Sequence, residues 1–211
     1  MAELSVKPFL AACMANASGL LGRMRSDRRG VASVEFAIIV TLMVPLLIMT
    51  FETTQALQAN RKVSVAARAL ADLASQSASL SASDMNNILN ATRGVMAPFP
   101  LSRTVAVVTG IKIDDKGNAS VAWSDACNAP DAIGGGSAGQ RRAAGSTIAV
   151  PDGVKPPLGT AGFLVLAEVF HRYVPAVGWN LDSGITLSDK LYSSPRIGAS
   201  VTRTGASATC G

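Results

Sequence analysis

Sixteen consecutive residues, Phe36 to Phe51 (FAIIVTLMVPLLIMTF), carry no charge, and this run constrains everything around it. Extended back to Val31 it holds twenty-one residues, with Glu35 as the only charge. The hydrocarbon core of a bilayer takes about 20 apolar helical residues. A long helix buried in a soluble domain normally keeps a polar stripe, and none occurs between Phe36 and Phe51. The run therefore predicts a transmembrane helix over residues 31–51. Pro45 lies inside it, which membrane helices tolerate, usually with a kink.

Composition agrees. The 211-residue chain is 48% hydrophobic and 16% charged, against about 25% charged in average soluble domains. That excludes a disordered protein, which needs low hydrophobicity and high net charge. Of the net charge of +5, residues 1–30 supply +3, through Lys7, Arg23, Arg25, Arg28 and Arg29 against Glu3 and Asp27. Four of these cations stand directly before the apolar run, which predicts a cytoplasmic N-terminal side and an exported C-terminal part. No basic stripe with interleaved aromatics follows, so nucleic acid is not an expected partner. A secretory signal would have a shorter apolar core and a small-residue cleavage site. Here the run continues as Glu52-Thr-Thr-Gln-Ala-Leu-Gln, a helical sequence.

Glu35 is the informative charge. A carboxylate within a membrane helix costs about 2.5–3.5 kcal/mol on insertion scales. Two readings stand: a functional carboxylate inside the span, or one at headgroup level beside a helix N-terminus, where negative charge is favoured.

Arg28-Arg29-Gly30 followed by Val31-Ala-Ser-Val-Glu35-Phe36 and an apolar run resembles the class III signal of type IV pilins and pseudopilins. The stretch RRGVASVEFAIIVTLMVPLLIM is similar to TadE/TadG-like proteins of tight-adherence (Flp-type) pilus systems. The match covers about residues 28–52, with softer likeness in ARALADLASQ, LAEVF and ITLSDKLY. The resemblance implies a basic leader, residues 1–30, removed after Gly30 by a prepilin peptidase. Val31 would become the new N-terminus, with Glu35 and Phe36 fifth and sixth. Glycine suits that position because it leaves its carbonyl open to a protease. Cleavage creates an α-amino cation on Val31, which Glu35 would offset on its own chain or a neighbour's, turning a lone carboxylate into a paired one. The family's major Flp pilins follow this Glu with Tyr. Phe36 and the greater length point instead to a minor pseudopilin or assembly factor.

The implied location is a bacterial inner membrane, crossed once, with the C-terminal domain periplasmic or extracellular. The implied partners are the prepilin peptidase, other pilin or pseudopilin subunits, the pilus-assembly machinery and membrane lipid. The alternative is an uncleaved extracytoplasmic binding or adhesion module tethered by its first helix. Changing Glu35 separates the two.

The fold expectation is α+β: the long N-terminal helix, a pilin-like spine, then a small domain with a helix packed on an antiparallel sheet. From Glu52 to Ser77 there is neither proline nor glycine, and Leu57, Val63, Ala67, Leu70 and Ala74 recur at roughly helical spacings. Residues 52–83 are predicted as helical stalk and linker. That helix either packs on partner helices, its alanine-rich AARALADLA allowing close approach, or folds back on its own domain. Ser81-Ala-Ser-Asp84 reads as a capping box for a second helix to about Met96, stopped by Pro98 and Pro100. In the expected domain, residues 84–211, Thr104–Ile113 reads as a strand with a bulge at Gly110. Asp114-Asp-Lys-Gly-Asn118 reads as a turn, and Ala119–Ser124 as the hairpin partner. Asp131–Gly145 reads as a solvated loop, and Ser146–Val150, Gly162–Val174 and Ile185–Leu191 as further strands.

Cys13 lies in the leader. Cys127 and Cys210 fall in the expected exported part, where disulfides persist, and are the candidate pair; two free thiols are the alternative, since sequence supplies no geometry. His171, the single histidine, sits in an apolar strand and reads as packing or surface filler. No metal-ligand spacing, P-loop or H-E-x-x-H occurs. No enzymatic activity, metal or cofactor is therefore expected.

Overall fold

The computed structural model describes residues 30–128, 133, 139–177 and 184–208. It is α+β, as predicted, and divides into two compact units, residues 1–50 and 51–211. Helix α1 runs over Val31–Ser75 without interruption at Pro45. Within the first unit its surface is apolar. The hydroxyls of Thr41 and Thr50 donate to the carbonyls one turn back, Ala37 O at 2.7 Å and Leu46 O at 2.8 Å, which removes the cost of those polar groups in hydrocarbon.

In the second unit α1 meets a different environment. Ala59, Val63, Ala66, Ala67, Leu70, Ala71 and Ala74, spaced by three and four, are all buried. From Val63 onward they form one core with Met85, Leu89 and Met96 of α2 (Ala82–Met96) and with the facing side of the sheet. Alanine at these positions lets the backbone sit close to its neighbours. Of the two readings of this helix, the one that folds back on its own domain describes the face from Ala59 to Ser75. The alanine-rich face is spent on the helix's own domain, within the unit that begins at Phe51.

Short strand β1 (Ser79–Leu80) leads into α2, whose N-terminus carries the predicted capping box. The Ser81 hydroxyl accepts from Asp84 N at 3.2 Å, and Asp84 Oδ2 accepts from Ser81 N at 3.0 Å. Strands β2 (Thr104–Ile113), β3 (Ala119–Cys127), β4 (Gly162–Tyr173) and β5 (Ile185–Ser193) form an antiparallel sheet in the order β3-β2-β4-β5. Ala106 and Val108 of β2, with Val165, Ala167 and Val169 of β4, face the helices. On the opposite face, Ile111, Ile113, Leu164 and Leu166 pack with Val150, while Val105 and Val107 pack with Ile133.

The β2–β3 hairpin turns at Asp114, whose Oδ1 accepts from Lys116 N at 3.0 Å and Asn118 N at 2.7 Å. The Asn118 side-chain amide, donating to Oδ2 at 2.9 Å, and then these backbone bonds hold its carboxyl below the usual range. Gly110 pairs with Trp123 and Ile111 with Val121, so the bulge lies beside Gly110 but its extra residue is Ala122 on β3. Gly110 is there because of packing. A Cβ on it would lie 2.5 Å from the Trp123 ring and 2.8 Å from Phe163 Cζ.

Ser146–Val150 is not a strand. Thr147 makes a single bridge with Ser120. Ser146 is taken up by a turn onto Ala143, and Pro151 has no N–H to continue a ladder. A last short strand, β6 (Thr202–Arg203), pairs in parallel with β1. The surrounding C-terminal segment straps the helices to the sheet. Arg196 N donates to Ser75 O at 2.8 Å at the end of α1, and Trp123 Nε1 donates to Val201 O at 2.8 Å. Arg203 Nε donates to Asp125 Oδ2 at 2.7 Å.

Candidate functional site

The first unit presents an apolar surface. No residue from Val31 to Thr50 is buried; Phe36 is 68% exposed, Leu42 67% and Leu47 69%. A soluble protein does not display so large a contiguous apolar area. The helix is long and apolar enough to cross a membrane. Along one side Ser33, Ala37 and Thr41 recur one turn apart and line a shallow groove with Val34, Ile38 and Leu42. Such small-residue rows let two membrane helices approach closely.

The residues of the expected processing signal fall as follows. Arg28 and Arg29 lie outside the described residues. Gly30 and Val31, at the start of α1, are exposed, and a Cβ on Gly30 would meet nothing within 4 Å. Packing in this structure therefore does not explain a glycine at position 30. Glu35 and Phe36 lie in the second turn of α1, both exposed, and among the described residues Glu35 has no ion pair. Pro45 lies within the helix. Cys127 is disulfide-bonded, while Cys210, its expected partner, lies outside the described residues.

In the second unit the carboxylate of Glu52, the first charge after the apolar run, accepts from three donors. Its Oε2 accepts from the Tyr173 hydroxyl at 2.7 Å, and its Oε1 from Ala176 N at 3.0 Å and Val177 N at 3.2 Å. Burial first, and then the neighbouring carboxylate, push the Tyr173 phenol up to about 12. Sequence reasoning passed over Glu52 as mere helical continuation. Its place as the first charge beyond sixteen uncharged residues was the available signal.

Beside this clamp, His171 is buried, its Nδ1 2.8 Å from Thr104 Oγ1 and its ring edge-on to Phe99 at 5.6 Å. Burial, and then the Arg103 charge, lower its pKa. His171 is thus a packing group, one of the two roles predicted for it. Glu52, Arg103, His171, Arg172 and Tyr173, with the apolar Phe51, Phe99, Pro100 and Val174, line a pocket of about 260 Å³.

Two ion pairs hold the second unit together. Arg203 pairs with Asp125, their side chains 7% and 3% exposed. Arg142 makes a bidentate pair with Glu168, at 2.5 and 3.1 Å, and its backbone N donates to Ser124 Oγ at 3.2 Å. Arg142 had been expected in a solvated loop; it is instead a staple across the sheet. Among the described residues, no group of three His, Cys, Asp or Glu side chains comes together.

The family model described as TadE-like protein matches residues 30–72. No curated protein matches the chain, and no solved structure does. The matched segment begins at Gly30, takes in the exposed apolar run of α1, and ends at Asp72, which pairs with Arg196.

Proposed function

We propose that this chain, TadE-like over residues 30–72, is a pseudopilin-like inner-membrane protein that takes part in assembling a tight-adherence (Flp-type) pilus. It acts through protein–protein contacts. The observation that carries this reading is the contrast along α1: residues 31–50 have no buried member, whereas the face from Ala59 to Ser75 is filled by the helix's own domain. Contacts with other subunits are therefore reserved for the apolar part. There, burying side chains against helices rather than lipid depends on close packing and on polar pairing.

Glu35 supplies the polar pairing. A prepilin peptidase cuts after Gly30, and the new Val31 amine is the counter-charge that the carboxylate otherwise lacks. The exposed, unobstructed Gly30 supports this. The basic leader supports an N-terminus in the cytoplasm and a domain on the far side of the membrane. The protein has no catalytic role in this reading.

Glu35→Ala tests it. Piliation should be lost while the protein still fractionates with the membrane. Normal piliation in that variant would contradict the assembly role and favour a tethered binding module.

A further inference from the structure

A cavity of about 580 Å³ lies in the second unit between strands β2, β3 and β4 on one side and the segment entering β6 on the other. Two aromatic rings line its sheet wall. Trp123 of β3 and Phe163 of β4 both lean over Gly110 of β2, where a Cβ would lie 2.5 Å from the indole and 2.8 Å from Phe163 Cζ. Both rings are half-buried. The indole is also fixed in direction, because its Nε1 donates to Val201 O at 2.8 Å. A ring held in this way loses little freedom when a ligand arrives. Most polar groups around the cavity are already engaged. Arg203 is held by Asp125 and by the carbonyls of Thr204 and Ala206, and Thr202 donates both its N–H and its hydroxyl to Ala78 O. Lys112 Nζ and the Ser200 hydroxyl remain. Both residues are exposed, and neither side chain has a partner among the described residues.

The cavity's volume falls among small-molecule sites, about 300–1,000 Å³. A bare anion would gain nothing from the rings, and a hydrocarbon would make no use of Lys112 and Ser200. An extended peptide needs a free strand edge, and β6 is two residues long with Thr202 N already bound to Ala78 O. A pyranose with equatorial hydroxyls matches both kinds of wall. Its C–H faces are weakly positive and stack on the negative face of an aromatic ring, while hydroxyls surround its edge. We propose that this cavity binds a sugar ring of a glucose-configured glycan, stacked on Trp123 and Phe163 with Lys112 and Ser200 on its hydroxyls. The site is built from the second unit alone, so it stands independently of the membrane and pilus readings.

Tryptophan fluorescence of the full chain, in a detergent without a sugar headgroup, tests the site. Changing Trp179, the other tryptophan, to Phe leaves Trp123 as the sole indole. The probes are β1,4-linked tetrasaccharides of N-acetylglucosamine, the chemistry of a cell-wall glycan, and of glucose, a neutral glucan. At least one should shift the Trp123 emission saturably, and the tighter of the two identifies the kind of glycan. Lys112→Met/Ser200→Ala, which changes two exposed side chains, should weaken that binding by about tenfold. Phe163→Leu should weaken it further and is used if its melting matches the parent. Arg61→Gln, an exposed charge on α1 outside the cavity, should change nothing. No saturable shift with either sugar, an equal shift with tetra-alanine, unchanged affinity in Lys112→Met/Ser200→Ala, or an equal loss in Arg61→Gln would each overturn the assignment.

Discussion

Tyr173 Oη lies 2.7 Å from Glu52 Oε2, joining the end of β4 to the helix 121 residues earlier in the chain. The same carboxylate holds the N–H groups of Ala176 and Val177, so one side chain fixes the segment that follows β4. Tyr173→Phe should cost about 0.5–1.5 kcal/mol at neutral pH, the range for one hydrogen bond. Glu52→Ala, which strands three donors, should cost about 1–3 kcal/mol. The folded phenol, pushed up to about 12, binds its proton more tightly than the unfolded one, at about 10. Its contribution is therefore complete below pH about 10 and is lost as pH rises towards 12. Thermal melts of the detergent-solubilised chain should show this alkaline loss, reduced in Tyr173→Phe. An identical loss in that variant would assign it elsewhere.

The Asp125–Arg203 pair makes a sharper demand, because both side chains are almost fully buried. Asp125 also accepts from Ala208 N at 2.8 Å, so it anchors two points of the C-terminal segment. Removing either partner leaves an uncompensated charge in the core, and each single variant, Asp125→Ala or Arg203→Met, should lose about 3–5 kcal/mol. The double variant should lose less than the sum of the two, because no lone charge remains. Strict additivity in denaturant unfolding would show that the pair does not interact as the geometry states.

Cys127 ends β3 and is disulfide-bonded. Peptide mapping of the processed chain without reduction should find it linked to Cys210, Cys13 having left with residues 1–30. Ala208, two residues before Cys210, is held at Asp125, two residues before Cys127. Cys127→Ser should cost about 2–5 kcal/mol. Alkylation of Cys127 before reduction would contradict the bond.

Local pattern made much of this fold legible. The alternation in Thr104–Ile113 and Ala119–Ser124, the Asp114 turn and the Ser81–Asp84 capping box are short-range signals, and the structure contains each. The uncharged run from Phe36 was legible for the same reason, being contiguous in sequence. What escaped was long-range. Glu52 with Tyr173, Arg142 with Glu168 and Asp125 with Arg203 are pairs 26 to 121 residues apart. No periodicity encodes such partners. The alanine face of α1 was ambiguous for a related reason: small residues suit an approach to a partner helix and to the protein's own sheet equally well. Only the sheet's position decides between them. Ser146–Val150 had the composition of a strand, but with Ser146 in a turn and Pro151 without a donor it kept one bridge.

The central claim is that Gly30 marks a processing site and Glu35 serves the chain that remains, and the mature N-terminus tests it most directly. Mass spectrometry of the membrane-extracted protein, from cells with an active prepilin peptidase, should find a chain beginning at Val31, with or without a methyl group on its new amine. An intact chain still carrying residues 1–30 would contradict the account.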